Sequence, residues 1–229
     1  MPLTPQPKTA MIFPYRAVLF DFDGTLAVQT LDFALMRARA MEALAPFTTA
    51  PDVPGMPLME ELERLCAGLP PQTAAEARAA ALNAARRVEM EAAQSSRLFP
   101  FTRPLLAALK EAGSARAVVT RNCPEAVLTV FPDLPAYFDA LLTRDDVPRV
   151  KPDPDHLLRA LHMLGVLPEN ALMVGDHPMD IRAGKAAGTA TAGVGSGATS
   201  TARLAEEHPD HLADNAGKLF RLLGAEFSF

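Results

Sequence analysis

Short apolar runs recur along the chain and alternate with longer segments of helical periodicity. The runs at residues 17–20, 115–120 and 171–176 are almost continuously apolar until they end in polar residues, a pattern typical of strands buried on both faces. Weaker runs predict strands at 138–143 and 189–195. This alternation predicts an α/β fold whose parallel sheet is covered by helices on both faces. The predicted helices lie at residues 103–113, 124–131, 154–165, 179–188 and 217–224.

Proline and glycine mark the ends of several predicted helices. Pro104 falls in the first turn of one helix, and Gly113 follows its last residue. In the segment KPDPDHLLRALHMLG, Asp153 is the expected N-cap, Pro154 the first helical residue and Gly165 the C-terminal stop. The order of strands and helices after residue 100 follows from these signals.

A block of good helix formers interrupts the alternation after the first strand. Residues 31–96 are rich in Ala, Leu, Met, Glu and Arg, and breaks at 45–57 and 68–73 divide them into three or four helices. We therefore expect a small all-helical domain at residues 27–99, inserted into a core formed by residues 17–26 and 100–229. Residues 1–16, which include four prolines, are expected to form a loose N-terminal tail.

Polar residues follow three of the predicted strands at the point where each strand ends. Doubly wound parallel sheets of the Rossmann-like kind bind ligands outside the carboxyl ends of their strands. Asp21 and Asp23 end the first strand, Thr120 ends the second, and Asp176 ends a later one. We therefore expect these side chains to meet at one edge of the sheet.

The spacing of Asp21 and Asp23 raises a question of charge. Strand side chains two residues apart share a face, and Gly24 allows the chain to turn immediately afterwards. Two carboxylates held this close repel each other and raise one pKa unless something intervenes. Either a bound cation or a proton retained on one of the two acids would relieve the repulsion.

Composition narrows the classes of partner. The 229-residue chain is 49% hydrophobic and carries a net charge of −5, so it lacks the basic excess that binds nucleic acid or anionic membranes. No apolar run approaches the ~20 residues of a membrane span. The two cysteines, Cys66 and Cys123, form no C-x-x-C motif and suggest free thiols. We expect a cytoplasmic protein that is a monomer or homodimer and binds no nucleic acid and no membrane.

Four short motifs, each at a predicted strand end or helix start, carry a family resemblance. They read DFDGTL from Asp21, VVTRN around Thr120, KPDP from Lys151 and GDHPMD around Asp176. In this order the motifs resemble those of the haloacid dehalogenase-like hydrolase superfamily. The similarity is to its phosphatase branch with a helical cap after the first motif, as in phosphoglycolate phosphatase-like enzymes. It covers residues 17–194 and is strong at the motifs, whereas the cap agrees only in position and helicity.

The resemblance implies a role for each motif residue. Asp21 resembles the nucleophile that forms an aspartyl-phosphate, and Asp23 resembles the general acid/base. Lys151 would offset negative charge at the nucleophile and on the transferring phosphoryl group. The remaining implied roles are binding roles. The phosphate-binding residues are Thr120, Arg121, Asn122 and Lys151, and the Mg²⁺ ligands are Asp21, Asp23 through its main-chain carbonyl, Asp176 and, directly or through water, Asp180.

Two neighbouring sequence features have competing interpretations. The side chain of Arg121 could reach a substrate carboxylate or phosphate, or lie at the surface. The segment GVGSG at residues 193–197 is glycine-rich but lacks the Lys-Ser/Thr ending of a phosphate-binding loop, which favours a strand-exit loop.

The motifs leave several activities open. A phosphatase acting on a small phosphorylated metabolite is favoured, with phosphoglycolate, a sugar phosphate or pyrophosphate as candidates. A β-phosphoglucomutase-like phosphomutase would keep the same four motifs, and a catalytically silent phosphate-binding module is a further alternative. Dehalogenase chemistry is disfavoured because Asp23 is present. Phosphonatases of similar cap type require a cap lysine that forms a Schiff base with the substrate carbonyl. Residues 27–99 contain seven arginines and no lysine, which excludes this chemistry unless a lysine from elsewhere in the chain reaches the site.

Overall fold

Six parallel strands form a single sheet in the computed structural model, which describes residues 13–53 and 55–224. The strand order is β3-β2-β1-β4-β5-β6, so the first strand lies in the middle, between β2 and β4. This arrangement confirms the predicted doubly wound sheet. The strands are β1 (Ala17–Phe20), β2 (Ala115–Val119), β3 (Ala140–Leu142), β4 (Ala171–Gly175), β5 (Ala190–Val194) and β6 (His211–Ala213).

The helices pack on both faces of this sheet and above one end of it. Within the described part of the chain, none of them is long and apolar enough to span a bilayer. Their bounds are α1 (Phe33–Leu44), α2 (Leu58–Cys66), α3 (Pro71–Ser95), α4 (Thr102–Glu111), α5 (Pro124–Val130), α6 (Asp155–Leu164), α7 (Pro178–Ala187), α8 (Thr201–Ala205) and α9 (Ala216–Leu222).

Alternating side chains of β1 divide the core into two layers. Val18 and Phe20 belong to an apolar cluster that also contains residues of α4, α5 and α9. Ala17 and Leu19 point the other way, into a second cluster with residues of α6 and α7. Both faces of the strand are buried, which explains why its sequence is apolar without interruption.

Helices α1, α2 and α3 lie between β1 and α4 in the chain and have an apolar cluster of their own. Ala40 and Leu44 of α1 pack there against Leu62 and Leu65 of α2 and against alanines of α3. The two segments that connect these helices to the sheet run side by side. Ala27 pairs with Leu98 in an antiparallel bridge, and Val28 N donates to Arg97 O at 2.8 Å.

Several boundaries differ from those expected from the sequence. Helix α6 begins at Asp155 and its N-cap position is Pro154, while Asp153 Oδ1 accepts a hydrogen bond from Asp155 N at 2.9 Å. The expected N-cap is thus displaced by one residue, although Asp153 still stabilises the first turn. Strand β6 and helix α8 were not expected from the sequence.

Only part of the expected N-terminal tail lies within the described structure. Residues 1–12 of the expected tail lie outside the described residues, whereas residues 13–16 pack against the core. The Phe13 ring stacks on Phe220 with centroids 5.6 Å apart, and the Tyr15 hydroxyl lies 2.6 Å from His211 Nε2. These residues were expected to be loose, and aromatic packing orders them.

Candidate active site

The acidic residues meet because neighbouring strands of the sheet deliver them to the same edge. Asp21 follows β1 and Asp176 follows β4, and these strands pair directly in parallel register. Asp21 N donates to Val174 O at 2.9 Å, which extends the ladder one step beyond the strand. Thr120 follows β2, the other neighbour of β1, and Thr120 N donates to Leu142 O at 2.9 Å. The expected meeting of strand-end polar residues is therefore observed.

Lys151 lies between two of the carboxylates. Its Nζ donates a hydrogen bond to Asp21 Oδ1 at 2.7 Å and forms an ion pair with Asp180 Oδ1, also at 2.7 Å. Only 1% of the lysine side chain is exposed. Burial alone would lower the pKa of Lys151, but the carboxylates of Asp180 and Asp21 outweigh it and raise the pKa above its ordinary value. The ammonium group is therefore charged and fixed beside Asp21.

Asp180 is oriented by the first turn of α7. His177 N donates to Asp180 Oδ2 at 3.0 Å, and His177 Nδ1 accepts from Met179 N at 3.2 Å, so the two side chains form a reciprocal cap. Gly175 leaves the space for this arrangement, because a Cβ there would lie 2.2 Å from Asp180 Oδ2. The histidine thus has a capping role, and its pKa is lowered mainly by burial.

Asp176 is enclosed by two glycines and held by two donors. Its Oδ1 accepts from Thr25 Oγ1 at 3.4 Å and its Oδ2 accepts from Ala198 N at 3.2 Å. A Cβ on Gly24 would lie 2.6 Å from Oδ2, and one on Gly197 only 1.8 Å away. The glycine-rich segment 193–197 is therefore more than a strand exit, since its last residue packs directly on this carboxylate.

Asp23 faces the second strand end instead of the other acids. Asn122 Nδ2 donates to Asp23 Oδ2 at 2.9 Å, and Asn122 N donates to Thr120 Oγ1 at 3.1 Å. The three residues therefore form a hydrogen-bonded group on the side of Asp21 nearest β2. The three-carboxylate cluster found in the described part of the chain consists of Asp21, Asp176 and Asp180 and does not include the Asp23 side chain.

Burial raises the pKa of three carboxyl groups in this site. It brings the pKa of Asp21 to about 6, although Lys151 opposes the shift. It brings the pKa of Asp23 to about 7, with a further contribution from the charge of Asp21. The pKa of Asp176 rises to about 8, mainly through burial and then through the charges of Asp21 and Asp180. Full ionisation of this group of acids at neutral pH is unfavourable without additional positive charge.

The arrangement of carboxylates fits a small divalent cation. One oxygen from each of Asp21, Asp176 and Asp180 lies within 4.8 Å of the others. Asp180 Oδ1 is buried and makes no hydrogen bond to any described residue, its Lys151 contact being an ion pair. An all-oxygen set of this kind suits Mg²⁺ or Ca²⁺ rather than a metal that prefers nitrogen or sulfur ligands.

A pocket of about 590 Å³ lies over these strand ends. Its floor includes the acids, Thr120, Asn122 and Lys151, and its remaining walls come largely from α1, α2 and α3. A volume of this size is typical of small-molecule sites, which span about 300–1,000 Å³. The acids and Lys151 therefore lie at the base of a pocket that helices α1, α2 and α3 cover.

Arg121 has a position that neither sequence interpretation described. Its side chain is 18% exposed, and its guanidinium pairs with Glu60 of α2, with Nη2 at 2.9 Å from Oε2 and Nη1 at 3.2 Å from Oε1. Arg121 Nη1 also donates to Lys151 O at 2.9 Å. The side chain is therefore inside the pocket, but a carboxylate from the helical region already neutralises it.

A buried ion pair also joins the helical region to the sheet and was missed in the sequence. Arg144, just after β3, forms two hydrogen bonds with Glu89 of α3, and the side chains are 3% and 2% exposed. Arg144 Nη1 further donates to Arg121 O at 3.1 Å. Neither residue stands in a motif. The only signal was an acid on an otherwise apolar helix face.

Comparison with known proteins identifies the class of this fold and site. The family model of haloacid dehalogenase-like hydrolases matches residues 15–188, which include all four motifs. The chain belongs to the haloacid dehalogenase-like hydrolase family, and the resemblance inferred from the motifs is confirmed.

Individual relatives agree with this assignment. A pyrophosphatase PpaX of Bacillus velezensis is 37% identical over 123 residues, which cover 52% of this chain and 56% of the relative. This chain thus spans about half the length of the first curated relatives it matches. A putative pyrophosphatase PpaX of Clostridium perfringens is 32% identical over 216 residues, 91% of this chain and 97% of the relative. The crystal structure of CbbY from Rhodobacter sphaeroides in complex with phosphate aligns with a TM-score of 0.63 at 26% identity, covering 90% of this chain and 96% of that one.

Proposed function

We propose that this protein is a Mg²⁺-dependent phosphatase that hydrolyses a small phosphorylated metabolite through an aspartyl-phosphate on Asp21. The observation that carries the proposal is the position of the Lys151 ammonium, 2.7 Å from both Asp21 and Asp180 at the base of the pocket. A buried cation in this place keeps Asp21 ionised as a nucleophile and leaves the transferring phosphoryl group beside a positive charge.

The first half-reaction uses both acids that follow β1. A carboxylate oxygen of Asp21 attacks phosphorus, and the bond between phosphorus and the ester oxygen breaks. Asp23 has a pKa raised to about 7, so about half of it is protonated at neutral pH, and this form can donate its proton to the leaving oxygen. The Asn122 amide, 2.9 Å from Asp23 Oδ2, orients that carboxyl group.

The second half-reaction reverses the proton transfer. Asp23, now ionised, accepts a proton from a water molecule that attacks phosphorus, and the bond to Asp21 breaks to release inorganic phosphate. Thr120 Oγ, the main-chain amides of Arg121 and Asn122, and the Lys151 ammonium would bind the phosphoryl oxygens. The Arg121 side chain is not part of this set because it pairs with Glu60.

Asp21, Asp176, Asp180 and the main-chain carbonyl of Asp23 would hold the metal. When bound, Mg²⁺ supplies positive charge that polarises the phosphoryl group and offsets the repulsion among the acids. The closeness of the carboxylate oxygens supports this choice of ligands. Cytoplasmic location and a monomeric or homodimeric state stay predictions.

The experiment measures phosphate release from a panel of phosphorylated metabolites with Mg²⁺ and with EDTA. Asp21→Asn should abolish release while the protein stays folded, and Asp23→Asn should slow both formation and breakdown of the phosphoenzyme. Asp214→Asn, at an exposed residue, is the matched control. Release by Asp21→Asn at the wild-type rate would refute the mechanism. Transfer of the phosphoryl group to a sugar hydroxyl without release of phosphate would favour the phosphomutase.

A further inference from the structure

The walls of the pocket that face the acids are mostly apolar. Phe33 and Met36 of α1, Leu58 and Met59 of α2, and Leu82 of α3 all line it. Phe33 is 53% exposed, although a large apolar side chain gains from burial. A phosphoryl group alone would occupy only the floor of the chamber. The remaining volume therefore offers an apolar surface to whatever the phosphate is attached to.

The positive charges of the pocket are already matched by carboxylates of the protein. Arg121 pairs with Glu60, and Lys151 pairs with Asp21 and Asp180. Two further arginines of the lining show the same feature. Arg144 pairs with the buried Glu89, and Arg37 donates to Asp52, Val53 O and Met56 O.

These pairs matter because candidate substrates differ in how many anionic groups they carry. Phosphoglycolate has a carboxylate and pyrophosphate a second phosphate, and an unpaired cation away from the catalytic floor would favour binding of either group. Among the arginines and lysine that line the described pocket, each is engaged by a carboxylate. A second anion that approaches Arg121 would have to compete with the two-point contact of Glu60, the strongest common geometry of such pairs.

We propose that this pocket selects phosphate monoesters with an uncharged, largely apolar leaving group, and that Glu60 excludes a second anionic group by neutralising Arg121. This inference rests on the proposed phosphatase function and names the substrate class of that same site. Phe33, at the start of α1, contributes to selection by contacting the apolar leaving group. The first candidates drawn from the resemblance, phosphoglycolate and pyrophosphate, are disfavoured by this pocket.

The test compares phenethyl phosphate with phosphoglycolate at saturating Mg²⁺, and includes pyrophosphate. The first two are both alkyl esters, so they differ mainly in an apolar ring against a carboxylate. Wild-type kcat/KM should be at least about tenfold higher for phenethyl phosphate. Glu60→Gln should raise the ratio of phosphoglycolate to phenethyl phosphate activity by about tenfold, because Arg121 becomes available to the carboxylate.

Matched controls separate selection from a structural role. Glu63 is exposed on the same helix as Glu60, and Glu63→Gln should leave the substrate ratio at the wild-type value. Phe33→Ala should raise KM for phenethyl phosphate about three- to tenfold and leave KM for phosphoglycolate unchanged. Leu35→Ala removes an exposed apolar side chain of α1 that does not line the pocket, and should change neither KM.

The outcomes distinguish this inference from the function on which it rests. A wild-type preference for phosphoglycolate or pyrophosphate would overturn the inference and leave the phosphatase standing. So would a Glu60→Gln ratio equal to that of Glu63→Gln. Absence of Mg²⁺-dependent phosphate release from all three compounds and from the wider metabolite panel would overturn the proposed function, and the inference with it.

Discussion

Replacement of Gly197 by alanine tests whether the glycine-rich segment positions Asp176. An added Cβ would lie 1.8 Å from Asp176 Oδ2, whereas ordinary contact begins at 3.4 Å, so the groups must separate by about 1.6 Å. The carboxylate has little freedom to move, because Gly24 packs on the same oxygen and Ala198 N donates to it at 3.2 Å. We therefore expect the substitution to displace the carboxylate, the loop, or both.

The steric overlap sets the expected effect of Gly197→Ala on stability, metal binding and reaction rate. Overpacking by one methyl group costs about 1–3 kcal/mol, which lowers the melting temperature of a chain of this size by roughly 2–12 °C. Disturbing a group next to a metal ligand weakens metal binding about 10–100-fold, and a misplacement of about 1 Å near the reacting atoms costs up to about 100-fold in rate. The rate of phosphate release should thus fall by up to about 100-fold, whereas the free energy of unfolding should fall by only about 1–3 kcal/mol.

The assay measures phosphate release as a function of Mg²⁺ concentration, together with thermal unfolding without metal. Gly68→Ala is the control, since a Cβ at Gly68 meets nothing within 4 Å. We expect Gly197→Ala to need at least about tenfold more Mg²⁺ for half-maximal activity, whereas Gly68→Ala behaves as wild type. Wild-type metal dependence in a folded Gly197→Ala protein would refute the argument that this contact positions Asp176.

Three further predictions concern buried groups outside the metal cluster. Glu89→Gln removes the two-point counter-charge of the buried Arg144 and leaves only the longer ion pair with Asp145, 3.9 Å away, so it should lower the free energy of unfolding in urea by about 3–5 kcal/mol. Glu91→Gln on the exposed face should not, and equal stability of the two variants would contradict this. Burial, followed by the charge of Lys151, lowers the pKa of His156 to about 3 from 6.5. The unfolded chain therefore binds an extra proton between these values, and unfolding free energy should fall by up to about 1.4 kcal/mol per pH unit from about pH 6 to 4, a slope that His156→Leu should reduce. Burial raises the pKa of the Cys123 thiol to about 12, so iodoacetamide at pH 8 should modify it only after denaturation, as mass spectrometry would detect; rapid labelling of the native protein would count against its burial.

The central strands could be read from the sequence because their environment is uniform. β1 and β4 are buried on both faces, so their apolar runs have clear ends. β6 contains three residues, and only one of them, Ala213, is buried. A strand so short at the edge of a sheet leaves no periodic signal, because its partner β5 rather than its own pattern determines it.

The site residues also differ in whether a local sequence pattern predicts their positions. The meeting of Asp21 with Asp176 follows from parallel strands that end at one edge, and the sequence order of the motifs was enough to predict it. The pairing of Arg121 with Glu60 depends on how a helix is placed over the sheet, across 61 residues of chain. No local pattern encodes that placement. The residues that we propose to set selectivity are therefore those whose positions the sequence left undetermined.

The paired segments at residues 27–28 and 97–98 bear on how such an enzyme can change over evolution. Because the outgoing and returning chains are hydrogen-bonded to each other, the helices between them leave and rejoin the sheet at nearly one point. Loop-closure entropy varies only by about 0.6 kcal/mol for each doubling of length, so an insertion closed at its base can be lengthened or exchanged at small cost. Recombination at these two positions would exchange helices α1, α2 and α3 as one unit. β1 would keep its register with β2 and β4. Chemistry and substrate choice can therefore be inherited separately within a single gene.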